Sequence, residues 1–310
     1  MVAKPSLDDF EKDRVLALKS TPASPEPELQ AFQFQLPEEP LVVIERSKAW
    51  VAVDLRDLWS YRELLYFLAW RDVKVRYKQT ALGVLWVVMQ PVLMTIIFTV
   101  FLGRVARVPS SGQIPYALFA YSGLFLWTFF SGAISMGAQS LLGNAHLITK
   151  IYFPRLIIPC AVIGGRLIDL LISFALLAVL MLHYRMAVTR SILLVPIFLV
   201  LIVLLALGFS MLTSALTVKY RDVGIAIPVL IQLWMFVSPI VYPLSLVPQQ
   251  WQRVYALNPL VGIIEGFRAC LFNYKINRSA LAFSVAVTMI LLVSSAYAFK
   301  RIEKNFADVV

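Results

Sequence analysis

The sequence contains few of the residue types from which catalytic and metal sites are built. It has two cysteines and two histidines, and Cys160 and Cys270 lie too far apart in the sequence to show metal-ligand spacing. The acidic residues beyond residue 80 are few and scattered: Asp169, Asp222, Glu265, Glu303 and Asp308. Because acid, base or metal chemistry requires such groups in a cluster, we expect no catalytic residue, no metal and no cofactor bound by this chain.

Two sequence signals of other functions are also missing. Residues 1–50 contain no continuous apolar stretch of the kind that forms the core of a signal peptide. They are polar, acidic and proline-containing, which predicts a disordered cytoplasmic tail. The pattern GxxxxGK(S/T), whose backbone cradles nucleotide phosphates, occurs nowhere in the sequence. If the function of this protein consumes ATP, another chain must hydrolyse it.

Apolar residues, in contrast, dominate the chain. Hydrophobic residues make up 60% of it, charged residues make up 15%, and the mean hydropathy is +0.78, which is typical of a membrane protein. We predict an all-α integral membrane protein whose transmembrane domain, residues 81–300, has six spans long enough to cross a bilayer. The predicted spans are residues 82–102, 116–141, 156–182, 191–216, 223–242 and 280–299.

The net charge of +10 is carried mainly between these apolar stretches. The positive-inside rule accounts for such charges more simply than nucleic-acid binding does. Six spans place both termini on one side of the membrane, and the distribution of Lys and Arg favours the cytoplasmic side. Residues 301–310 then form a cytoplasmic C-terminal tail.

Directly before the first span, residues 51–80 are predicted to form an amphipathic interface helix. Aromatic residues, together with Val73, fall on one side of this helix, and basic residues fall on a neighbouring stripe. Such a surface suits the headgroup region and anionic lipid, whereas packing on a soluble domain is the alternative. The residues that we assign to this interface are Trp59, Tyr66, Trp70, Arg71, Lys74, Tyr77 and Lys78.

Two further features concern the membrane domain. Arg166 and Asp169 lie at i and i+3 inside the third span, where charges are costly unless paired. The sequence leaves two roles open for them, an ion pair that fixes helix packing or a gate that lines a pathway. Residues 243–278 are apolar but are interrupted by prolines, which predicts re-entrant helices between spans five and six.

Five motifs in order resemble the permease subunit of type-2 ABC exporters, in the branch that exports polysaccharide or polyol phosphate. They are RDVKVRYKQTALGVLWVVMQP, NAHLITKIYFPRLIIP, YRDV, SPIVYP and LNPLVGIIEGFR. The resemblance extends from about residue 56 to the C-terminus. It implies a homodimer of six-span subunits in the bacterial inner membrane, with two copies of a cytoplasmic ABC ATPase that binds ATP and Mg.

The resemblance also implies two sites at opposite ends of the membrane domain. Residues 143–155 would be a coupling helix that docks on the ATPase, although a simple hairpin turn is the alternative. Its candidate contact residues are Asn144, His146, Leu147, Ile148, Lys150, Tyr152 and Arg155. Residues 243–278 would form an outer gate at the channel exit. The candidate residues in and next to this gate are Pro239, Tyr242, Asn258, Pro259, Glu265 and Arg268.

Aromatic side chains in spans two and five are candidates for a channel surface, because aromatic faces stack on sugar rings without requiring one linkage. Core or lipid-facing packing is the alternative for each of them. The candidates are Tyr116, Phe119, Tyr121, Phe125, Trp127 and Trp234.

The expected function is the ATP-driven export of a lipid-linked polysaccharide from the cytoplasmic side across the inner membrane. O-antigen, capsule and teichoic acid all fit as the polymer. An exporter of a drug or a small lipid with the same fold is the alternative, and a membrane enzyme that acts on polyprenyl-linked sugars is a weaker one.

Overall fold

The computed structural model describes residues 55–78, 83, 85–109, 114–187 and 189–303. All regular structure in these ranges is helical, without a strand, which confirms the all-α prediction. The helices are α1 (Leu55–Ser60), α2 (Arg62–Lys78), α3 (Leu85–Phe98), α4 (Tyr116–Gly143), α5 (Ala145–Lys150), α6 (Ile157–His183), α7 (Val195–Lys219), α8 (Arg221–Phe236), α9 (Gln249–Tyr255), α10 (Pro259–Phe272) and α11 (Arg278–Glu303). A π-helical turn, Thr99–Val105, continues α3, and 3-10 turns lie at Arg190–Leu194 and Leu244–Leu246. The predicted N-terminal tail lies outside the described residues, as does the C-terminal tail beyond residue 303.

Five helical stretches are long and apolar enough to cross a membrane. They are Leu85–Val105, Tyr116–Gly143, Ile157–His183, Arg190–Lys219 and Arg278–Glu303, and they coincide with five of the six predicted spans. The multi-pass prediction is therefore confirmed. At the remaining predicted span, residues 223–242, α8 has 16 residues and ends at Phe236. Because about 20 apolar residues are needed to cross a bilayer, the sixth span stays a prediction.

Helix α4 is at the centre of the fold and packs against α3, α6, α7 and α8. Its large side chains, including Phe119, Phe125 and Phe130, are fully buried. Small residues bring the helices close together. For example, a Cβ at Gly137 would collide with the side chain of Ser210 on α7. Most of the surface of α4 is therefore covered by protein and not by lipid.

A second apolar cluster lies where the C-terminal end of α4 meets α2, α5, α6, α7 and α11. It contains Leu68, Leu141, Ile148, Ile157 and Phe299. The short helix α5 has too few residues to be stable in isolation, and this cluster holds it against the ends of the long helices.

Helix α2 packs on α6 at a pair of glycines. A Cβ at Gly164 would lie 3.3 Å from the Cβ of Ala69, and one at Gly165 would lie 3.7 Å from the side chain of Val73. Glycine therefore allows the two backbones to approach closely. The prediction that Val73 shares the outward aromatic side of the helix is wrong, because Val73 is buried against α6.

Candidate functional site

Asp169 on α6 accepts hydrogen bonds from three side chains. Arg166, one turn earlier, donates from Nη1 to Oδ2 at 2.9 Å. Arg76 on α2 donates to the same oxygen, and the hydroxyl of Tyr77 donates to Oδ1. We call Arg76, Tyr77, Arg166 and Asp169 the charged cluster. The ion pair between Arg166 and Asp169, which was expected within one helix, is thus part of a contact between α6 and α2.

Arg166 lies against α4. Its Nη2 donates to the main-chain oxygen of Thr128 at 3.0 Å, and a Cβ at Gly132 would collide with its guanidinium, so glycine is required there. The side chains of Arg166 and Asp169 are 14% and 7% exposed. Arg166 Nε is buried without a hydrogen-bond partner. Charges this well buried are costly unless neighbouring groups compensate them.

The hydroxyl of Tyr77 completes the cluster as a neutral donor. Burial, followed by the hydrogen bond to Asp169, raises the pKa of Tyr77 above its usual value. Its proton therefore stays on the phenol oxygen across the physiological pH range. Sequence analysis assigned Tyr77 to the lipid interface, but its polar tip contacts Asp169.

A cavity of about 230 Å³ lies beside the charged cluster. Helices α2, α3, α4 and α6 all contribute to its wall. Lining residues outside the cluster include Trp86, Gln90, Phe125, Thr128, Phe129 and Ser173. Sequence analysis missed Arg76 and Trp86 as site residues. The sequence did show Arg76 as a further cation near the end of the amphipathic helix. Its contact with Asp169 was not visible there, because the two residues are 93 positions apart.

The outward surface of α1 and α2 is strongly aromatic. Trp59, Tyr66 and Trp70 are 70%, 67% and 51% exposed, Tyr66 stacks on Trp70, and the guanidinium of Arg62 lies over the Trp59 ring. Lys74 and Lys78 are also exposed. The structure thus presents an aromatic and basic surface of the kind that suits a membrane–water interface. Phe67, which sequence analysis did not select, is 63% exposed and adds to it.

Arg71, which sequence analysis placed on the basic stripe, is partly exposed and also makes contacts within the chain. It donates to Asn144 Oδ1 at 2.8 Å and pairs with Asp72. Asn144 in turn donates to the main-chain oxygen of Ser140 at 2.8 Å. Because Asn144 connects α4 to α5, the hydrogen bond from Arg71 to Asn144 ties α2 to the start of the predicted coupling segment.

The predicted coupling residues divide into an exposed group and an internal group. His146, Lys150 and Tyr152 are exposed, with Tyr152 at 77%. Ile148 is 8% exposed and belongs to the second apolar cluster, against which Leu147 packs. As a surface anchor for another protein, Ile148 is therefore a wrong choice. Exposed Thr149 and Ile151, which sequence analysis did not select, extend the outer surface.

Arg155, the last predicted coupling residue, binds within the chain. Its Nη1 donates to the main-chain oxygen of Glu303 at 2.6 Å, and its backbone N–H donates to Glu303 Oε1 at 3.2 Å. Arg155 therefore caps the C-terminal end of α11, where orphan carbonyls favour a cation.

The aromatic residues predicted to line a channel are mostly enclosed by the chain itself. Phe119 and Tyr121 are 0% exposed, Phe125 is 1% exposed and Trp127 is 6% exposed. Tyr121 donates to the main-chain oxygen of Ser173 at 2.9 Å. The channel assignment of these four residues is therefore corrected to packing in this conformation, because the helices around α4 cover them.

The other two channel candidates also make contacts within the chain. Tyr116 donates to the main-chain oxygen of Val241 at 2.6 Å. Trp234 on α8 is half-buried and packs edge-to-face on Phe130 and Phe209. The contacts of both side chains serve the packing of α4 against α8 and the segment after it.

One of the predicted outer-gate residues is a buried arginine, and two others, Pro239 and Glu265, contact it. Arg268 on α10 is 0% exposed. It donates to the main-chain oxygens of Phe119, Pro239 and Ile240 at 3.0, 2.6 and 2.5 Å, and to Ser122 Oγ at 3.1 Å. It also pairs with Glu265 at 3.3 Å. One side chain thus fastens α10 and the turn after α8 to the central helix.

Three other predicted gate residues lie in the same segment. Asn258 caps α10 by accepting from the backbone N–H of Leu260 at 3.1 Å, while Pro259 occupies the first turn of the helix. The amide of Asn258 donates to Ser238 Oγ at 2.9 Å. The Tyr242 hydroxyl donates to the main-chain oxygen of Phe236 at 2.6 Å. Residues 237–272 are therefore well anchored by polar contacts.

Comparison with known proteins identifies relatives across most of the chain. The family model described as ABC-2 type transporter matches residues 63–272. The O-antigen export system permease protein RfbA of Myxococcus xanthus is 29% identical over 258 residues, which are 82% of this chain and 98% of that protein. A protein of the same name from Klebsiella pneumoniae is 28% identical over 80% of this chain and 95% of its own length. The polysialic acid transport protein KpsM of Escherichia coli is 26% identical over 63% of this chain and 76% of its own length.

Proposed function

Because this chain belongs to the ABC-2 type transporter family, we propose that it is the membrane subunit of an exporter for a lipid-linked polysaccharide. It is a multi-pass inner-membrane protein, and a separate ATPase subunit supplies the energy. The observation that carries the substrate proposal is the similarity to O-antigen export permeases over 95% and 98% of their length. O-antigen, capsule and teichoic acid are the candidate polymers.

The proposed assembly is a homodimer of six-span subunits with two copies of the ATPase and with cytoplasmic termini. In this arrangement α8 and the turns after it make the fifth crossing. The exposed apolar side of α8 supports this placement, since Ile225, Val229, Leu233 and Phe236 are 75%, 59%, 59% and 60% exposed. Such a surface requires lipid or a second subunit.

The ATPase docks, in this proposal, on the exposed part of the coupling segment. His146, Thr149, Lys150, Ile151 and Tyr152 present polar, basic and apolar groups there, a combination that suits insertion of a short helix into a groove. Movement of this segment reaches α2 through the bond between Arg71 and Asn144.

The lipid-linked glycan enters from the cytoplasmic leaflet near α2, and its lipid stays in the membrane. Helices α9 and α10 form the re-entrant outer gate over the exit. The polar contacts of Asn258, Tyr242 and Arg268 support a closed outer segment that has to rearrange as a unit.

The test is deletion of the gene followed by tracking of polyprenyl-linked glycan on both sides of the inner membrane. Loss of surface polysaccharide together with accumulation of the lipid-linked polymer inside is the expected result, and the trapped polymer identifies the substrate. If the polymer is never made, the chain acts in synthesis and the proposal is wrong. Normal surface glycan, with a drug or small lipid retained instead, would favour the alternative exporter function.

A further inference from the structure

We propose that two neighbouring loops form a cationic surface that binds the headgroups of anionic phospholipids in the outer leaflet. The loops are residues 183–190, between α6 and α7, and residues 273–278, between α10 and α11. We call their four cations, Arg185, Arg190, Lys275 and Arg278, the cationic loop surface. Its placement in the outer leaflet rests on the proposed orientation with cytoplasmic termini, whereas the lipid binding itself goes beyond the proposed function.

The fold holds the two loops beside each other. The 3-10 turn Arg190–Leu194, at the end of the first loop, packs on α10, and the second loop begins directly after α10 at Asn273. Ile192 of the turn and Ile276 of the second loop pack against the apolar core around α4, whereas Lys275 is exposed. Each loop is therefore anchored by apolar side chains while its cations face outward.

The cationic loop surface has no compensating acid in the chain's described residues. All four of its side chains are exposed, and none forms an ion pair within the ranges that the structure describes. Neither loop contains an acidic residue, and Glu265 on the adjacent α10 is already paired with the buried Arg268. At the opposite end of the bundle, in contrast, Arg71 lies beside Asp72. The charge of the surface therefore favours an anion from outside the chain.

Membrane topology alone does not explain these positive charges. The positive-inside rule favours Lys and Arg in cytoplasmic loops, and in the proposed orientation both loops lie on the other side of the membrane. Arg185 also has a positive φ of 51°, the left-handed conformation in which glycine or asparagine usually ends a helix. The chain thus places a long cationic side chain where the backbone geometry favours a small residue.

Exposed apolar residues next to the surface favour a lipid over a soluble anion. Leu182, directly before the first loop, is 73% exposed, and Leu193, three residues after Arg190, is 77% exposed. Both residues lie at the ends of helices long and apolar enough to cross a membrane. Basic side chains at the ends of such helices reach the headgroup level. The leucines can contact acyl chains there while the guanidiniums bind phosphate oxygens, for which their geometry is suited.

The experiment measures lipid binding to the full-length chain purified in detergent, by native mass spectrometry. The probes are dioleoyl phosphatidylglycerol, which is anionic, and dioleoyl phosphatidylcholine, which has the same acyl chains and no net charge. We expect the anionic lipid to bind more tightly, and added salt to weaken its binding. The pair Arg185→Gln and Arg190→Gln should lower its affinity about tenfold or more, since two cations near the headgroups are removed. Arg185→Lys with Arg190→Lys should lose less.

The matched control is the pair Lys219→Gln and Arg221→Gln. It removes two exposed cations at the opposite end of the bundle, where the exposed Asp222 lies next to them in the sequence, so it should lose much less affinity. An equal loss in this control would show that net charge and not the cationic loop surface attracts the lipid, which overturns the inference. Equal binding of the two lipids by the wild type also overturns it. If the first pair of variants is not monodisperse, Lys275→Gln with Arg278→Gln decides.

Two soluble probes test the source of the anion. Glycerol 3-phosphate carries a phosphate without acyl chains, and trigalacturonate is an anionic oligosaccharide. We expect both to bind more weakly than phosphatidylglycerol in titration calorimetry. Equally tight glycerol 3-phosphate would overturn the lipid part of the inference. Tighter trigalacturonate would assign the surface to an anionic polymer and overturn the inference.

Leaflet, lipid binding and export can fail separately. A membrane-impermeant maleimide should label Lys275→Cys in intact spheroplasts, with the wild-type chain as the background; labelling only after permeabilisation rejects the outer leaflet. No preference for phosphatidylglycerol, together with export that is lost on deletion of the gene, rejects the lipid surface but keeps the exporter. A clear preference together with normal export on deletion keeps the lipid surface and rejects the exporter assignment.

Discussion

Arg268 contacts Phe119 in two ways at once. Its guanidinium carbon lies 3.8 Å from the centroid of the Phe119 ring, and its Nη2 donates to the main-chain oxygen of the same residue at 3.0 Å. The two residues are 149 positions apart. A buried cation is thus held by a ring face, by three carbonyls and by a partly exposed carboxylate. This arrangement holds the N-terminal end of α4 against α10.

Arg268→Met should strongly destabilise the protein. The substitution leaves the main-chain oxygens of Pro239 and Ile240 without their donor, and the cost of breaking a buried ionic network is about 3–5 kcal/mol. Thermal unfolding of the purified protein, followed by tryptophan fluorescence, measures this loss. Arg104→Met, at an exposed position, should unfold like the wild type. An unchanged unfolding temperature for Arg268→Met would show that the carbonyl contacts contribute little.

Tyr121→Ala should reduce the amount of folded protein, because truncating a large aromatic residue in a core costs about 3–5 kcal/mol. Tyr121→Phe removes only the hydrogen bond to Ser173 and should cost about 1 kcal/mol. Abundance in membranes and surface glycan are measured together. A Tyr121→Ala protein of normal stability that fails to export would restore Tyr121 as a channel residue and contradict the packing assignment.

Tyr152→Ala should weaken ATPase docking without affecting stability, since the side chain is 77% exposed. Ile148→Ala is the matched comparison on the same segment. It should lower stability by about 2–5 kcal/mol, because Ile148 is in the second apolar cluster. Co-purification of the ATPase and thermal unfolding are measured for both variants. Full retention of the ATPase by Tyr152→Ala would exclude this residue from the docking surface.

Lys150→Glu and Arg155→Glu should have different effects on co-purification of the ATPase and on thermal unfolding. Lys150 is exposed, so reversing its charge should reduce ATPase co-purification and leave the unfolding temperature unchanged. Arg155 caps the end of α11 at Glu303. Its reversal places two carboxylates together and should lower the unfolding temperature. Equal stability of the two variants would mean that the Arg155 cap contributes nothing measurable.

Much of the architecture could be predicted because it depends on local properties of the chain. A run of apolar residues specifies a membrane helix wherever it lies in a sequence, and this accounts for the five predicted spans at which the structure has a helix long and apolar enough to cross a membrane. The aromatic side of α1 and α2 was likewise visible, and the outward exposure of Trp59, Tyr66 and Trp70 agrees with it. The five ordered motifs were sufficient to indicate the transporter family, because their order along the chain does not depend on how the helices pack.

The errors arose where one side chain had several acceptable environments. Lipid, a helix core and a channel wall are all compatible with an aromatic residue, so composition did not reveal that Phe119 and Trp127 are enclosed by neighbouring helices. Helical periodicity placed Val73 beside Trp70, but the glycines of α6 draw Val73 inward.

The sequence by itself determined the membrane class, the position of five apolar helices and the family, because apolar length and motif order are properties of the linear chain. Only the tertiary structure decided which charges meet. Arg76 finds Asp169 across 93 residues, Arg71 finds Asn144 across 73, and Arg268 finds carbonyls from two other segments. The physical reason is that a buried charge is satisfied by whatever donor or acceptor lies next to it in space, and helix packing sets that neighbour.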